Sequence, residues 1–278
     1  MRQDVSAGGP AANAAVTAAA LGVRAVLVSV IGTGPVGSVA RRDLERYSVE
    51  VHDVAPRDDT LLAVSAVLVD DVTGDRSVVS PDATLAPSDA VPTPDALGAL
   101  PRPDIVLLDG HHPAIARAVL AFVHELEPRP QVVLDAGRWR PVFAELLPAA
   151  DVAACSADFA LPPDAGVTLP DGGARADMAA PHAVDAAPPG PRALVVTHGP
   201  DPVEWAEADG RRGTVDVPQV AARDTLGAGD AFHGALVVAL ARGDDLPDAC
   251  AFAARVASTR VAHVGPREWL AEIGTVSP

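Results

Sequence analysis

The feature that most narrows the fold is a repeated local order: a short apolar run, a small or polar tip, then a segment with helical spacing. Ala25–Ile31 runs into Gly32–Gly37 and a predicted helix over 36–46. Ile105–Leu108 runs into Asp109-Gly110-His111-His112-Pro113 and a helix over 114–127, and Gln131–Leu134 into Asp135-Ala136-Gly137-Arg138 and a short helix over 143–147. Short apolar runs without polar alternation fit strands buried on both faces, and alternation with helices makes the sheet mostly parallel with helices covering both sides. The expected class is α/β. The core is built mainly from Ala, Val and Leu, because hydrophobic residues make up 49% of the 278 residues while aromatics supply only 3%.

The remaining segments extend this pattern. Ala11–Leu21 reads as a helix before the first strand. Asp151–Cys155 and Ala193–Thr197 read as strands, 203–208 with 214–217 as a small hairpin, and Leu226–Arg242 and Pro247–Val264 as helices. Between residues 48 and 80 the alternation breaks: Val49–Val54, Leu61–Asp70 and Ser77–Ser80 are strand-like around a turn at Thr73-Gly74-Asp75-Arg76, a hairpin-rich insertion. A Pro-rich connector runs over 81–103, and the Pro-, Gly- and Asp-rich stretch 161–192 reads as a long irregular surface connection.

Charge and cysteine content exclude several functions. Net charge is −16 and there is no lysine, so a nucleic-acid partner is disfavoured and any phosphate site must use backbone N–H groups, arginine or a metal. Cys155 and Cys250 are too few for a disulfide framework or zinc cluster, and reduced thiols in the cytoplasm are expected. The stretch 11–31 is nearly free of charge, but Arg24 inside it would cost about 2.5–3.5 kcal/mol in a bilayer. No basic segment precedes it, so neither a signal peptide nor a membrane span is expected.

The strongest local signal is Arg223-Asp224-Thr225-Leu226-Gly227-Ala228-Gly229-Asp230-Ala231-Phe232-His233-Gly234, a small-residue turn opening a long apolar helix. Its glycines let the backbone approach a ligand, and the free N–H groups of the first helical turn favour an anion. A carboxylate at Asp230, beside those donors, suits phosphoryl transfer, where it accepts the proton of an attacking hydroxyl. The structural alternative is that Asp230 merely offsets the helix dipole, worth about 0.3–1 kcal/mol.

This segment resembles the C-terminal signature of the ribokinase-like (PfkB-type) carbohydrate kinases, and Gly8-Gly9-Pro10-Ala11-Ala12-Asn13 is similar to the family's Gly-Gly…Asn motif. Asp109-Gly110-His111, Asp135-Ala136-Gly137-Arg138 and Val196-Thr197-His198-Gly199 fall where that family has strand-end loops. The resemblance implies one domain over 1–278, a three-layer αβα doubly wound sheet with a small β lid at about 48–80. It implies ATP-dependent phosphorylation of a sugar hydroxyl, with Asp230 as general base and the N–H groups of Gly227, Ala228 and Gly229 as anion hole. Gly9, Asn13 and His111 would meet the sugar, with Arg138 as a further phosphate or substrate contact. Asp224 and Thr225 would shape the nucleotide side and a monovalent-cation site. Thr197 and Gly199 would follow the ATP phosphates or ribose, and adenine would rest near Ala254–Ser258. Mg²⁺ would come with ATP, and a homodimer would form through the lid.

Two departures stand out. The family begins with a strand ending in a sugar-gripping aspartate, whereas here Gly8-Gly9 occurs at once, and two readings stand open: a misassigned start, or a protein short by that one strand and its acid. The family's Asn-x-x-Glu motif is replaced by Ser156-Ala157-Asp158-Phe159, with Asp158 offered to the metal through water; the ketohexokinase-like branch has a similar serine variant, and a ketose or a related carbohydrate is the expected substrate.

A rival motif is Val26–Ile31 followed by Gly32-Thr33-Gly34-Pro35-Val36-Gly37 and a helix, with Glu50 and Asp53 about 20 residues on, the order of an NAD(P)-dependent oxidoreductase. A helix precedes this strand, Pro35 stiffens the turn, and the rival leaves Asp224–Asp230 unexplained. The third expectation is a non-catalytic sugar- or nucleotide-binding relative.

Overall fold

The computed structural model describes residues 3–57, 62–69, 76–81, 90–167, 169 and 190–274. In chain order these hold α1 Pro10–Ala20, β1 Ala25–Ser29, α2 Pro35–Arg46, β2 Val49–Asp53, β3 Ala66–Val69, β4 Arg76–Val79, α3 Pro94–Gly98, β5 Ile105–Leu108, α4 Pro113–His124 and β6 Gln131–Ala136. They continue with α5 Phe143–Leu146, β7 Val152–Ser156, β8 Ala193–His198, β9 Asp201–Glu207, β10 Arg212–Val215, α6 Ala228–Arg242, α7 Leu246–Val261 and α8 Leu270–Ile273.

Strands β5 to β8 are parallel neighbours, and β9 and β10 extend the same sheet antiparallel, in the order β10-β9-β8-β7-β6-β5. The inner strands are apolar throughout because both faces are covered. Val133, Ala154 and Val195 join the core under α1, α6 and α7, whereas Val132, Leu134, Ala153, Cys155, Leu194 and Val196 join the core that holds Phe143 and Phe159. This two-residue alternation between separate cores makes the three layers.

The expected α/β layering is present, and several boundaries move; two of the shifts bear on the site. Val49–Asp53 pairs in parallel with β1, Ala25 opposite Val49, so it belongs to the layered body and not to the insertion that the sequence opened at residue 48. Among the described residues the insertion's β structure is the antiparallel hairpin β3–β4. Helix α6 starts at Ala228 rather than Leu226, because Gly227 takes a left-handed φ of 72° at its N-cap. Residues 73–75 of the expected turn, the outer ends of the 61–70 strand and most of 161–192 lie outside the described residues, while Arg76 opens β4.

Strand β1 pairs only with β2, and β5 only with β6, among the described strands. Every residue of β1 and β5 lines one cavity of about 1820 Å³ that reaches the Asp230 turn. No described helix is long and apolar enough to cross a membrane.

Candidate active site

Asp230 is the third residue of α6, where side chains lie beside the unbonded N–H groups of the helix start. Among the described residues, the N–H groups of Gly227, Gly229 and Asp230 have no acceptor. That of Ala228 donates instead to the Thr225 carbonyl at 3.3 Å, closing the turn, so the donor set differs from the expected one by exchanging Ala228 for Asp230. Helix α1 reaches this turn because Gly234 removes a side chain at the crossing: a Cβ there would sit 2.6 Å from the Ala14 carbonyl and 2.7 Å from Thr17 Cβ. That close crossing brings Asn13 Nδ2 to donate to Asp230 Oδ2 at 2.7 Å.

Asn13 is itself held from behind. Arg267 Nη1 donates to its Oδ1 at 3.1 Å, while Nη2 donates to Asp43 Oδ2 at 2.9 Å and to the Ala7 carbonyl at 2.8 Å. An Asn with its carbonyl oxygen occupied by a guanidinium must present its amide to Asp230, which fixes the amide orientation. Burial raises the Asp230 carboxyl above its ordinary value, Asp135 and Asp109 push the same way, and the Asn13 hydrogen bond and the His233 charge pull it partly back.

The tips of β5 and β6 close the other side. Asp109 accepts from the backbone of Ala11 at 3.2 Å and of His111 at 2.9 Å, and His111 Nδ1 lies 3.3 Å from it. Burial opposes ionisation of Asp109, but these bonds and the His111 ring hold its carboxyl down to about 2. His111 Nε2 meets Arg140 Nη2 at 2.7 Å. Gly9, Asn13, Asp109, His111, Gly227 and Asp230 all line the one cavity.

The model of the pfkB family carbohydrate kinases matches residues 1–272. The chain belongs to that family. Ribokinase of Bacillus subtilis (strain 168) is 26% identical over 264 residues, 93% of this chain and 82% of the relative. A solved ribokinase-type structure from Agrobacterium tumefaciens superposes with a TM-score of 0.72 at 25% identity, covering 95% of this chain and 82% of that one. A ribokinase II-type structure from E. coli, in complex with ATP and Mg²⁺, gives a TM-score of 0.71 at 18% identity over 96% of this chain and 87% of that one.

The other expected positions of this pfkB-family chain, Asp224 excepted, stand outside the cavity lining. Thr197 is the last residue but one of β8, its hydroxyl donating to the Cys155 carbonyl at 3.4 Å, and Gly199 follows the strand with φ of 65°. Thr225 is exposed in the turn. Asp224 lines the cavity wall but is only 3% exposed. Its carboxylate accepts from Arg260 Nη2 at 3.0 Å, Gly265 N at 3.1 Å and Leu226 N at 3.0 Å, so it ties the turn to α7 rather than reaching outward. Ala254 and Ser258 face inward from α7, Ala254 into the core and Ser258 donating to the Pro218 carbonyl at 3.0 Å. Asp158 and Arg138 are exposed. Among the described residues no group of three or more His, Cys, Asp or Glu is gathered to hold a metal. Free N–H donors beside one carboxylate therefore fit a phosphate group that brings its own cation.

The rival turn is filled by protein. Asp53 accepts from the backbone N–H of Ile31 at 3.1 Å, Gly32 at 2.9 Å and Ala55 at 3.1 Å, and from Arg41 at 2.7 Å, while Glu50 pairs with Arg24. The acids that a dinucleotide ribose would need are spent within the fold. Sequence reasoning missed Arg267, Asp43 and Asp109; Asp109 stands at the end of an apolar run, a visible signal, but nothing local marks Arg267 or Asp43.

Proposed function

We propose that this kinase-family chain transfers the γ-phosphoryl group of ATP, accompanied by Mg²⁺, to a hydroxyl of a small sugar, a ketose being the expected class. The observation that carries this reading is the Asp230 carboxylate, held by Asn13 in the cavity lining beside the unbonded N–H groups of Gly227 and Gly229. Asp230 takes the hydroxyl proton while the N–H donors bind the transferred phosphoryl oxygens. Magnesium, held by the phosphates, supplies charge neutralisation there. His111, Gly9 and Asn13 face the acceptor. Thr197, Gly199 and Thr225 lie toward the nucleotide, with α7 near the adenine and a monovalent cation beside the 224–226 turn.

The hairpin β3–β4 exposes Val67, Leu68, Val78 and Val79 at 38–74%, and a lone two-stranded sheet needs an apolar cover, which supports a homodimer through the lid.

The test is ADP release from ATP and Mg²⁺ across a panel of ketoses, aldoses and nucleosides, paired with light scattering for the dimer. Acceptor-dependent release supports the kinase. Binding of sugar and ATP without release supports the non-catalytic relative, and no binding of either overturns both.

A further inference from the structure

One turn beyond Asp230 on α6, His233 is 5% exposed, a depth at which an ionisable ring is costly without a partner. Its Nδ1 lies 2.9 Å from Oδ2 of Asp135, which is 6% exposed at the end of β6. The contact is a charge pair without hydrogen-bond alignment: neither ring nitrogen of His233 nor Oδ2 of Asp135 has a hydrogen-bond partner.

The surroundings of Asp230 show what this pair does. From α1 it faces neutral Asn13; from the tips of β5 and β6 it feels Asp109 and Asp135; from its own helix it feels His233. Arg267 and His111 stand one step behind, bonded to Asn13 and Asp109. Carboxylates crowded in a partly dry site cannot all ionise without a compensating cation. Burial alone would strip the proton from His233, but Asp135 and then Asp230 more than offset it, so the ring binds its proton more tightly than an ordinary histidine.

We propose that His233, held as an imidazolium by Asp135, is a positioning residue that keeps Asp230 ionised and so sets the lower pH limit of phosphoryl transfer. This rests on the reading of Asp230 as base. The sequence presents His233 as an unremarkable residue of an apolar helix; only the crossing of α6 over the end of β6 gives it a carboxylate on each side.

The experiment has two arms. Ring-¹⁵N-histidine NMR of the whole protein, with His233 assigned by its loss in His233→Asn, is followed across pH for wild type and Asp135→Asn. The expected result is a doubly protonated ring at pH 7 in wild type that becomes neutral in Asp135→Asn. A neutral ring in wild type overturns the inference whatever the turnover.

In the second arm, kcat/KM is measured against pH for wild type, His233→Asn and His233→Gln, each checked for folding by circular dichroism. Loss of the cation raises the Asp230 pKa, so the acid limb should move up by about one unit, a roughly tenfold loss below the limb with the high-pH plateau kept. An unmoved limb overturns the proposal, as does a loss that is uniform across pH. If no acceptor turns over in wild type, the base reading of Asp230 falls and takes the catalytic half of the inference with it, while the ring titration still decides the charge pair.

Discussion

Two glycine-bearing turns in this chain each open a helix, and they are used in opposite ways. At Gly32–Gly37 the backbone N–H groups of Ile31 and Gly32 donate to Asp53, and a Cβ on Gly37 would sit 2.5 Å from the Ile31 carbonyl. At Gly227–Gly229 the N–H groups of both glycines are unbonded, nothing lies within 4 Å of a Cβ on Gly229, and the nearby carboxylate is held by a single amide. The lesson is that a glycine pattern marks close backbone approach, and the hydrogen-bond inventory tells whether protein or ligand does the approaching.

Exchanging the acids tests this contrast most severely. Asp230→Asn should bind ATP but lose about 10²–10⁴-fold in turnover with an unchanged melting curve. Asp53→Asn should keep its turnover per folded molecule and lose about 2 kcal/mol in urea unfolding, since its partners are left unsatisfied. The reverse outcome would exchange the roles assigned to the two turns.

Arg267→Ala comes next. Its side chain and that of Asp43 are 9% and 13% exposed, and breaking so buried a pair costs about 3 kcal/mol. Because Asn13 is also released, kcat should fall more than the KM for ATP rises. Unaltered kcat would show that Asn13 holds its amide without the guanidinium.

Asp109→Asn probes the acceptor side by pH. The folded carboxyl sits at about 2, against about 3.9 when unfolded. A depressed carboxylate contributes stability that is complete above the unfolded value and is lost as pH falls toward the folded one. The variant should therefore lose about 2 kcal/mol at pH 7 and show a flatter decline between about pH 4 and 2 in denaturant titrations.

The smallest effect belongs to the paired glycines. Gly37→Ala should destabilise by about 1–3 kcal/mol through overpacking. Gly229→Ala, inside a helix with open space around it, should gain up to about 1 kcal/mol while raising the KM for ATP. Equal stability changes in thermal melts would erase the distinction between the turns.

Much of the fold was legible because periodicity is local. The apolar runs at 105–108, 131–134 and 193–197 became β5, β6 and β8, since residues buried on both faces need no polar alternation. Val49–Asp53 was assigned to the insertion because its own pattern is the same whether its partner is parallel β1 or a hairpin strand; only the pairing decides. Likewise Asp224 and Ser258 look ligand-facing by position, but their directions are set by Arg260 and Pro218 across the fold.

The sequence alone determined that a glycine turn opens an apolar helix with an acid in its first turn, because those are properties of neighbouring residues. Tertiary structure alone decided what meets that acid: Asn13 is 217 positions away, Arg267 a further 254 from Asn13, and Asp135, whose charge acts on it, also pairs with His233 one turn along α6. Such contacts depend on helices crossing closely at Gly234, and a crossing distance is a property of packed surfaces that no local pattern encodes.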